Sequence, residues 1–260
     1  MIGDDFLDTL NFDVFEGMTS ISALIGAILS GTNNRKIIKV FYNESSAKKK
    51  SREIAFLTHK SRELNFELVP TDSEFIDSIA DGKTHGGFLA FASKREFTNV
   101  DPHNIKQNGF YALIDGIEDP YNFGYCVRSL YASGADGLIL PTRNWMEASG
   151  TVARSSAGTS ELFDIFVDDP ENAVLTFKNM GFKVMCAEIR DSVSLYDADL
   201  TGPILFIIGG EKRGISSKIA KHADLNVRID YERSFNGSLP TTSAISIIAF
   251  HAAHMRKSKQ

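Results

Sequence analysis

Three short segments of this chain gather the residue types that could do chemistry, and each follows an apolar run. The first, Asp119-Pro120-Tyr121-Asn122-Phe123-Gly124, leads to Arg128, so an amide and an always-charged guanidinium stand at the mouth of a strand–helix unit. In the second, Gly209-Gly210-Glu211, the missing side chains leave room for a ligand to approach the backbone. A carboxylate such as Glu211 at a strand mouth is usually paired or functional. The third segment runs from Ile229 through Ser238, Leu239 and Pro240 into a long apolar stretch. Bland alternatives exist for each: a structural turn for the glycine pair, and an Arg128 that merely bridges Glu211. The glycine segment is neither a Walker loop nor Gly-x-Gly-x-x-Gly, which disfavours a nucleotide triphosphatase or an ordinary Rossmann dehydrogenase. No Cys-x-x-Cys or paired-His spacing indicates a metal, and the two cysteines, Cys126 and Cys186, read as buried small hydrophobes.

The elements that must position these groups alternate. Strands are expected at Tyr111–Ile114, Gly137–Leu140, Leu162–Val167, Phe182–Ala187, Ile204–Ile208 and Leu225–Ile229, with helices near Asn122–Ser133, Glu171–Met180, Ser216–Lys221 and Thr241–Arg256. Apolar strands alternating with helices imply a parallel sheet covered on both faces, whose ligands bind beyond the carboxyl ends of the strands. The last helix is apolar on two faces, one with Ile245, Ile248, Ala249 and Ala252, the other with Ile247 and Phe250. It is either wrapped by its own domain or packed also against a second subunit.

Ahead of this lies a smaller α/β unit. A helix is expected over Phe15–Leu29, then strand Lys36–Tyr42, a charged helix Ser46–Leu64, strand Phe66–Val69, a helix opened by Thr71 with Glu74, and strand Gly86–Ala92. The polar segment 98–109 reads as a linker. The expected organisation is therefore a first domain over 1–98, a linker over 99–109 and a second domain over 110–260.

With 43% hydrophobic and 23% charged residues in 260, the chain is an ordinary globular protein, long enough for two domains. A net charge of −5 argues against coating nucleic acid indiscriminately. A local basic face remains, since residues 33–62 hold Arg35, Lys36, Lys48 and Lys49 among nine basic residues against Glu44 and Glu53. A charge run alone is more simply a solvated helix face. The acidic start lacks the pattern of a secretory signal and no apolar run spans a membrane, so a cytoplasmic protein with no membrane contact is expected.

Taken together, the three segments resemble the SpoU (TrmH-type) RNA 2'-O-ribose methyltransferases of the SPOUT superfamily. Asp119-Pro120-x-Asn122-x-Gly124-x-x-x-Arg128 resembles the first family motif, Gly209-x-Glu211-x-x-Gly214 the second, and Ile229 with Ser238-Leu239 the third. Thr151–Gly158 fits the stretch between the first two, and the first domain is similar, more loosely, to a ribosomal-protein-like RNA-binding domain. The resemblance implies a trefoil-knotted α/β fold with a parallel sheet, S-adenosylmethionine as methyl donor, and a homodimer through the second domain with sites at the subunit interface. It implies Arg128 as the catalytic arginine, with Asn122 and Glu211 shaping its loop, and Gly209, Gly210, Ile229 and Leu239 against the cofactor. Arg35, Lys36, Lys48, Lys49 and Arg154 are then candidates for holding RNA, ribosomal RNA ahead of transfer RNA. Because an arginine is a poor base, Arg128 would stabilise a developing alkoxide and bind the adjacent phosphate, leaving the proton to phosphate or water. The chain departs from the family where Pro240 stands in place of Asn and Asp230 in place of Pro. That departure keeps open a binding protein of the same fold without turnover.

Overall fold

The computed structural model describes residues 12–142, 148–210 and 213–258. They form two compact units: residues 1–96 with 145–162, and residues 97–144 with 163–260. Among the described residues no helix is long and apolar enough to cross a membrane.

The first unit carries a mixed four-stranded sheet in the order β1 (Phe12–Glu16), β4 (Phe88–Ser93), β2 (Ile37–Asn43), β3 (Glu67–Thr71). Strands β1 and β2 run antiparallel to β4, and β2 runs parallel to β3. Helix α1 (Gly17–Ser30) places Ile21, Leu24 and Ile25, spaced for one helical face, into a core with Phe15, Val40 and Phe88. Helix α2 is Ser51–Leu64. Helix α3 (Ser73–Ile79) is capped by Asp72, whose side chain accepts from the Phe75 amide, and not by Thr71 as expected.

Two differences from the expected organisation have one cause. Strand β1 is absent from the sequence reading because Asp13, a charged residue, occupies a buried position and breaks the apolar alternation. Its partner is Arg35, expected as a surface cation for RNA. Arg35 is instead 3% exposed: it donates to Asp13, to Glu161 at 2.9 Å and to the Ser93 carbonyl at 2.6 Å, with its guanidinium over the Phe15 ring. Glu161 lies on α6 (Thr159–Leu162), which follows α5 (Ser149–Ser155). A Cβ on Gly150 would sit 2.2 Å from the Val14 carbonyl oxygen, so α5 packs directly on β1. The segment between the first two motifs thus belongs to the first unit, and the expected strand start at Leu162 is the end of a helix.

The second unit is a seven-stranded sheet in the order β7-β6-β5-β10-β8-β11-β9. The strands are β5 (Phe110–Asp115), β6 (Gly137–Leu140), β7 (Ile165–Val167), β8 (Lys183–Ala187), β9 (Ser192–Ser194), β10 (Ile204–Gly209) and β11 (Leu225–Arg228). Every neighbouring pair is parallel. One face buries Tyr111, Leu113, Ile139, Phe177, Val184 and Ile207 in a continuous core. Residues 99–109 are tied to this unit, since Ile105 enters the same core and the Lys106 amide donates to the Tyr111 hydroxyl at 2.9 Å. Helix α4 (Pro120–Ser133) starts where expected: Asp119 accepts from the Asn122 amide at 2.8 Å and Pro120 takes the first turn. Helix α7 is Pro170–Asn179, α8 is Ser217–Ala220, and α9 (Thr241–Lys257) packs on α4 and β10.

Candidate active site

Parallel pairing sets the geometry of the site. Asp115 stands opposite Gly209 in the β5–β10 ladder, so the loops carrying the first and second motifs leave the sheet side by side. The Gly210 amide donates to the Asp115 carbonyl at 2.6 Å, the Gly214 amide to the Gly210 carbonyl at 3.1 Å, and the Ser216 amide to the Asp115 carboxylate at 3.3 Å. A Cβ on Gly209 would lie 2.3 Å from the Gly214 carbonyl carbon, and one on Gly210 would lie 2.1 Å from the Gly116 carbonyl oxygen. The glycine pair is therefore dictated by protein backbone packing against protein backbone. The sequence argument for these glycines named only the close approach of a ligand; the backbone crossing is a second reason for them.

Beyond the carboxyl ends of β10, β8 and β11 opens a cavity of about 530 Å³. Gly209, Gly210, Ile229 and Leu239 all line it, which brings together the four residues expected at the cofactor. Ile208, Leu195 and Ile248 add apolar wall, and Ser238, Pro240 and Thr241 bring in the start of α9. The Thr241 hydroxyl donates to the Gly209 carbonyl at 3.4 Å and joins the second motif to the third. Sequence reasoning missed Glu188 and Arg228, which line the same cavity. Their signal was available, since both follow or end strands expected to run into the carboxyl-end crevice. Arg228 pairs with Asp230 at 2.8 Å and donates to the Ser192 carbonyl at 2.6 Å. Hydrogen bonding from Ser194, with Arg228 beside it, holds the Asp230 carboxyl below its usual range. Behind the cavity, burial and then the charge of Glu188 push the Cys186 thiol up to about 12, so it is no nucleophile.

The described residues expected to be catalytic stand apart from the cavity lining. Arg128 is exposed on α4 and Asn122 is half-buried, and neither lines the cavity. Glu211 lies outside the described residues. Of the RNA candidates, Lys36, Lys48 and Lys49 are exposed, whereas Arg154 is half-buried and paired with Glu16 at 2.7 Å. Arg35 thus ties its own unit together and is corrected as an RNA contact, while Arg154 is paired within the same unit and keeps a partly exposed side chain.

Residues 109–250 match the model of the SpoU rRNA methylase family. The chain belongs to that family. This SpoU methylase is 28% identical to a Staphylococcus saprophyticus protein named for the TrmH family of tRNA/rRNA methyltransferases, over 88% of this chain and 92% of that one. It is 24% identical to the 23S rRNA (guanosine-2'-O-)-methyltransferase RlmB of Xylella fastidiosa, over 89% and 95% of the two chains. Its fold is that of the AdoMet-bound rRNA methyltransferase of Sinorhizobium meliloti, with a TM-score of 0.76 at 19% identity over 97% of this chain and 90% of the other. The SpoU methyltransferase AviRb of Streptomyces viridochromogenes, in complex with AdoMet, matches equally well, with a TM-score of 0.76 at 20% identity over 98% and 94%. As a SpoU methylase the protein is an RNA methyltransferase.

Proposed function

We propose that this protein transfers a methyl group from S-adenosylmethionine to a ribose 2'-hydroxyl in ribosomal RNA, acting in the cytoplasm as a homodimer of trefoil-knotted subunits. The observation that carries the reading is the cavity in which the second and third motif loops meet. Its volume, about 530 Å³, lies within the range of small-molecule and cofactor sites. Its lining fits the donor: Ile208, Leu239 and Ile248 offer an apolar slot for a flat base, while the Glu188 carboxylate and the Ser238 and Thr241 hydroxyls offer polar partners. When bound, S-adenosylmethionine supplies a methyl group on a positively charged sulfur, ready for transfer to an oxygen nucleophile.

The chain's own residues do the rest. The wall formed by Leu239 and Ile248 excludes water from the donor. The Arg128 guanidinium stabilises the developing 2'-alkoxide and grips the neighbouring phosphate with its planar fork. Arg128 does not line its own chain's cavity, and this supports the reading in which a second copy brings its arginine to the site. Tyr125 on α4 and Phe250 on α9 are large and 48–52% exposed, which supports a subunit contact on this face. The 23S rRNA specificity named for the RlmB relative favours ribosomal RNA as substrate.

Two measurements test the proposal. Calorimetry should show one S-adenosylhomocysteine per chain, and ribose-methylation mapping should find a ribosomal nucleotide methylated only in cells that keep the gene. No cofactor binding overturns the reading. Methylation confined to transfer RNA changes the substrate, and binding without transfer to any RNA leaves a binding protein.

A further inference from the structure

The loop from Ile229 to Pro240 carries two aromatic rings that the methylation chemistry leaves unused. Tyr231 lines the cavity, and its hydroxyl accepts the Leu239 amide at 3.2 Å, which ties the ring to the backbone that walls the cofactor space. Phe235 lies beside it, ring centroids 5.8 Å apart and planes inclined at 55°. Phe235 is 59% exposed, more than most large apolar side chains of the protein tolerate. A Cβ on Gly237 would sit 2.5 Å from the tip of the Phe235 ring, so a larger residue there would push the ring from the place it takes over the loop. Between the two aromatics in the sequence comes Arg233, an exposed cation.

An exposed ring next to a cavity-lining residue, on a loop that also carries an exposed cation, is what a single-stranded nucleotide needs. Every RNA base has a π-face that stacks on such a ring, and the following phosphate finds the arginine. We infer that Phe235, braced by Tyr231, is a stacking platform for an RNA base at or next to the methylated nucleotide, with Arg233 on its phosphate. The inference rests on the proposed RNA methylation and names the residues that hold the target in place. Continuity of the platform with the cavity, through Tyr231 and Leu239, selects RNA as the occupant, because the reacting ribose must come to that rim.

The test uses the full chain loaded with S-adenosylhomocysteine and, as probe, total ribosomal RNA from cells lacking the gene. Phe235→Leu keeps apolar bulk but removes the π-face, Phe235→Tyr keeps the face, and Gly237→Ala displaces the ring without deleting it. Filter binding should show RNA affinity about tenfold weaker or more for Phe235→Leu and Gly237→Ala, near wild type for Phe235→Tyr. The KM for RNA in methyl transfer should rise in parallel, with S-adenosylhomocysteine affinity unchanged. Equal RNA affinity in wild type and Phe235→Leu overturns the platform. Equal weakening of cofactor binding makes the ring a cofactor lid, and loss of the dimer on sizing makes it a subunit contact; either also overturns it. Wild type that transfers no methyl group sinks the proposed function instead, while the binding comparison still decides the platform.

Discussion

Gly209→Ala adds one methyl group where the structure leaves no space for it. The new Cβ would stand 2.3 Å from the Gly214 carbonyl carbon, 2.5 Å from the Ile215 nitrogen and 2.7 Å from the Gly214 oxygen, all backbone atoms. No rotamer relieves this, because alanine has none and the neighbours are main chain. To reach ordinary contact at 3.4 Å the 214–215 backbone must retreat by about 1 Å. That movement pulls Gly214 and Ile215, which line the cavity, and loosens the Gly214–Gly210 hydrogen bond. Overpacking of this kind costs about 1–3 kcal/mol, and each ~1.4 kcal/mol is tenfold in a dissociation constant. Calorimetry should therefore find S-adenosylhomocysteine bound about fivefold to a hundredfold more weakly, with the core of the sheet intact by circular dichroism. Gly202→Ala is the control, since a Cβ there meets nothing within 4 Å. Wild-type affinity in Gly209→Ala would refute the claim that backbone crossing at this glycine shapes the cavity.

Other outcomes follow from the same geometry. Arg128→Lys keeps the charge but loses the fork and should lower the rate on the order of a hundredfold, with S-adenosylhomocysteine affinity unchanged by calorimetry; near-normal turnover of Arg128→Ala would make the residue structural. Arg35→Ala strands the buried carboxylates of Asp13 and Glu161 and should cost about 3–5 kcal/mol in denaturant unfolding, whereas a loss below ~1 kcal/mol would contradict its role as the tie of the first unit. Hydrogen bonds from Lys221, then His222 and Lys218, hold the Glu171 carboxyl at about 2, against an ordinary value of 4.5. A depressed folded-state value means the contribution is full above pH 4.5 and is lost as pH falls toward 2. The melting-temperature gap between wild type and Glu171→Gln should be constant above that range and close below it, and should shrink in high salt.

The sequence made the second unit legible because its strands are buried on both faces and read as unbroken apolar runs. Ile204–Gly209 and Phe110–Asp115 are such runs, and the caps at Asp119 and Pro120 fix where α4 begins. The cavity residues Gly209, Gly210, Ile229 and Leu239 came from the family resemblance, and their place beyond the carboxyl ends of the strands agrees with the rule for parallel sheets. What escaped was whatever depends on long-range pairing of charge. Asp13 and Glu161 are acidic residues, and local pattern marks them as surface even where, as at Asp13, the neighbours are apolar. Only the arrival of Arg35, from far along the chain, makes their burial tolerable. The same pairing turned an expected RNA contact into an internal tie. Strand β9, three residues with two serines, is too short for any periodicity to announce it.

Pro240 is where this chain leaves its family, and the structure gives the departure a physical setting. Proline serves as the residue before α9, with φ at −51°, and its carbonyl accepts the Ser243 and Ala244 amides at 2.9 and 3.0 Å. No side-chain cap is present there, so the start of α9 rests on the fixed proline backbone instead of a hydrogen-bonding residue. The next residue, Thr241, is buried and donates its hydroxyl to the Gly209 carbonyl. Rigidity at position 240 and a polar bond at 241 together hold Leu239 between the Tyr231 hydroxyl on one side and the second-motif loop on the other. A neutral hydrogen bond of the kind an asparagine would add is worth about 1 kcal/mol, enough to change a rate several-fold but not to create or abolish it. The cavity wall therefore does not depend on the family's asparagine, and proline at this position is compatible with an active enzyme.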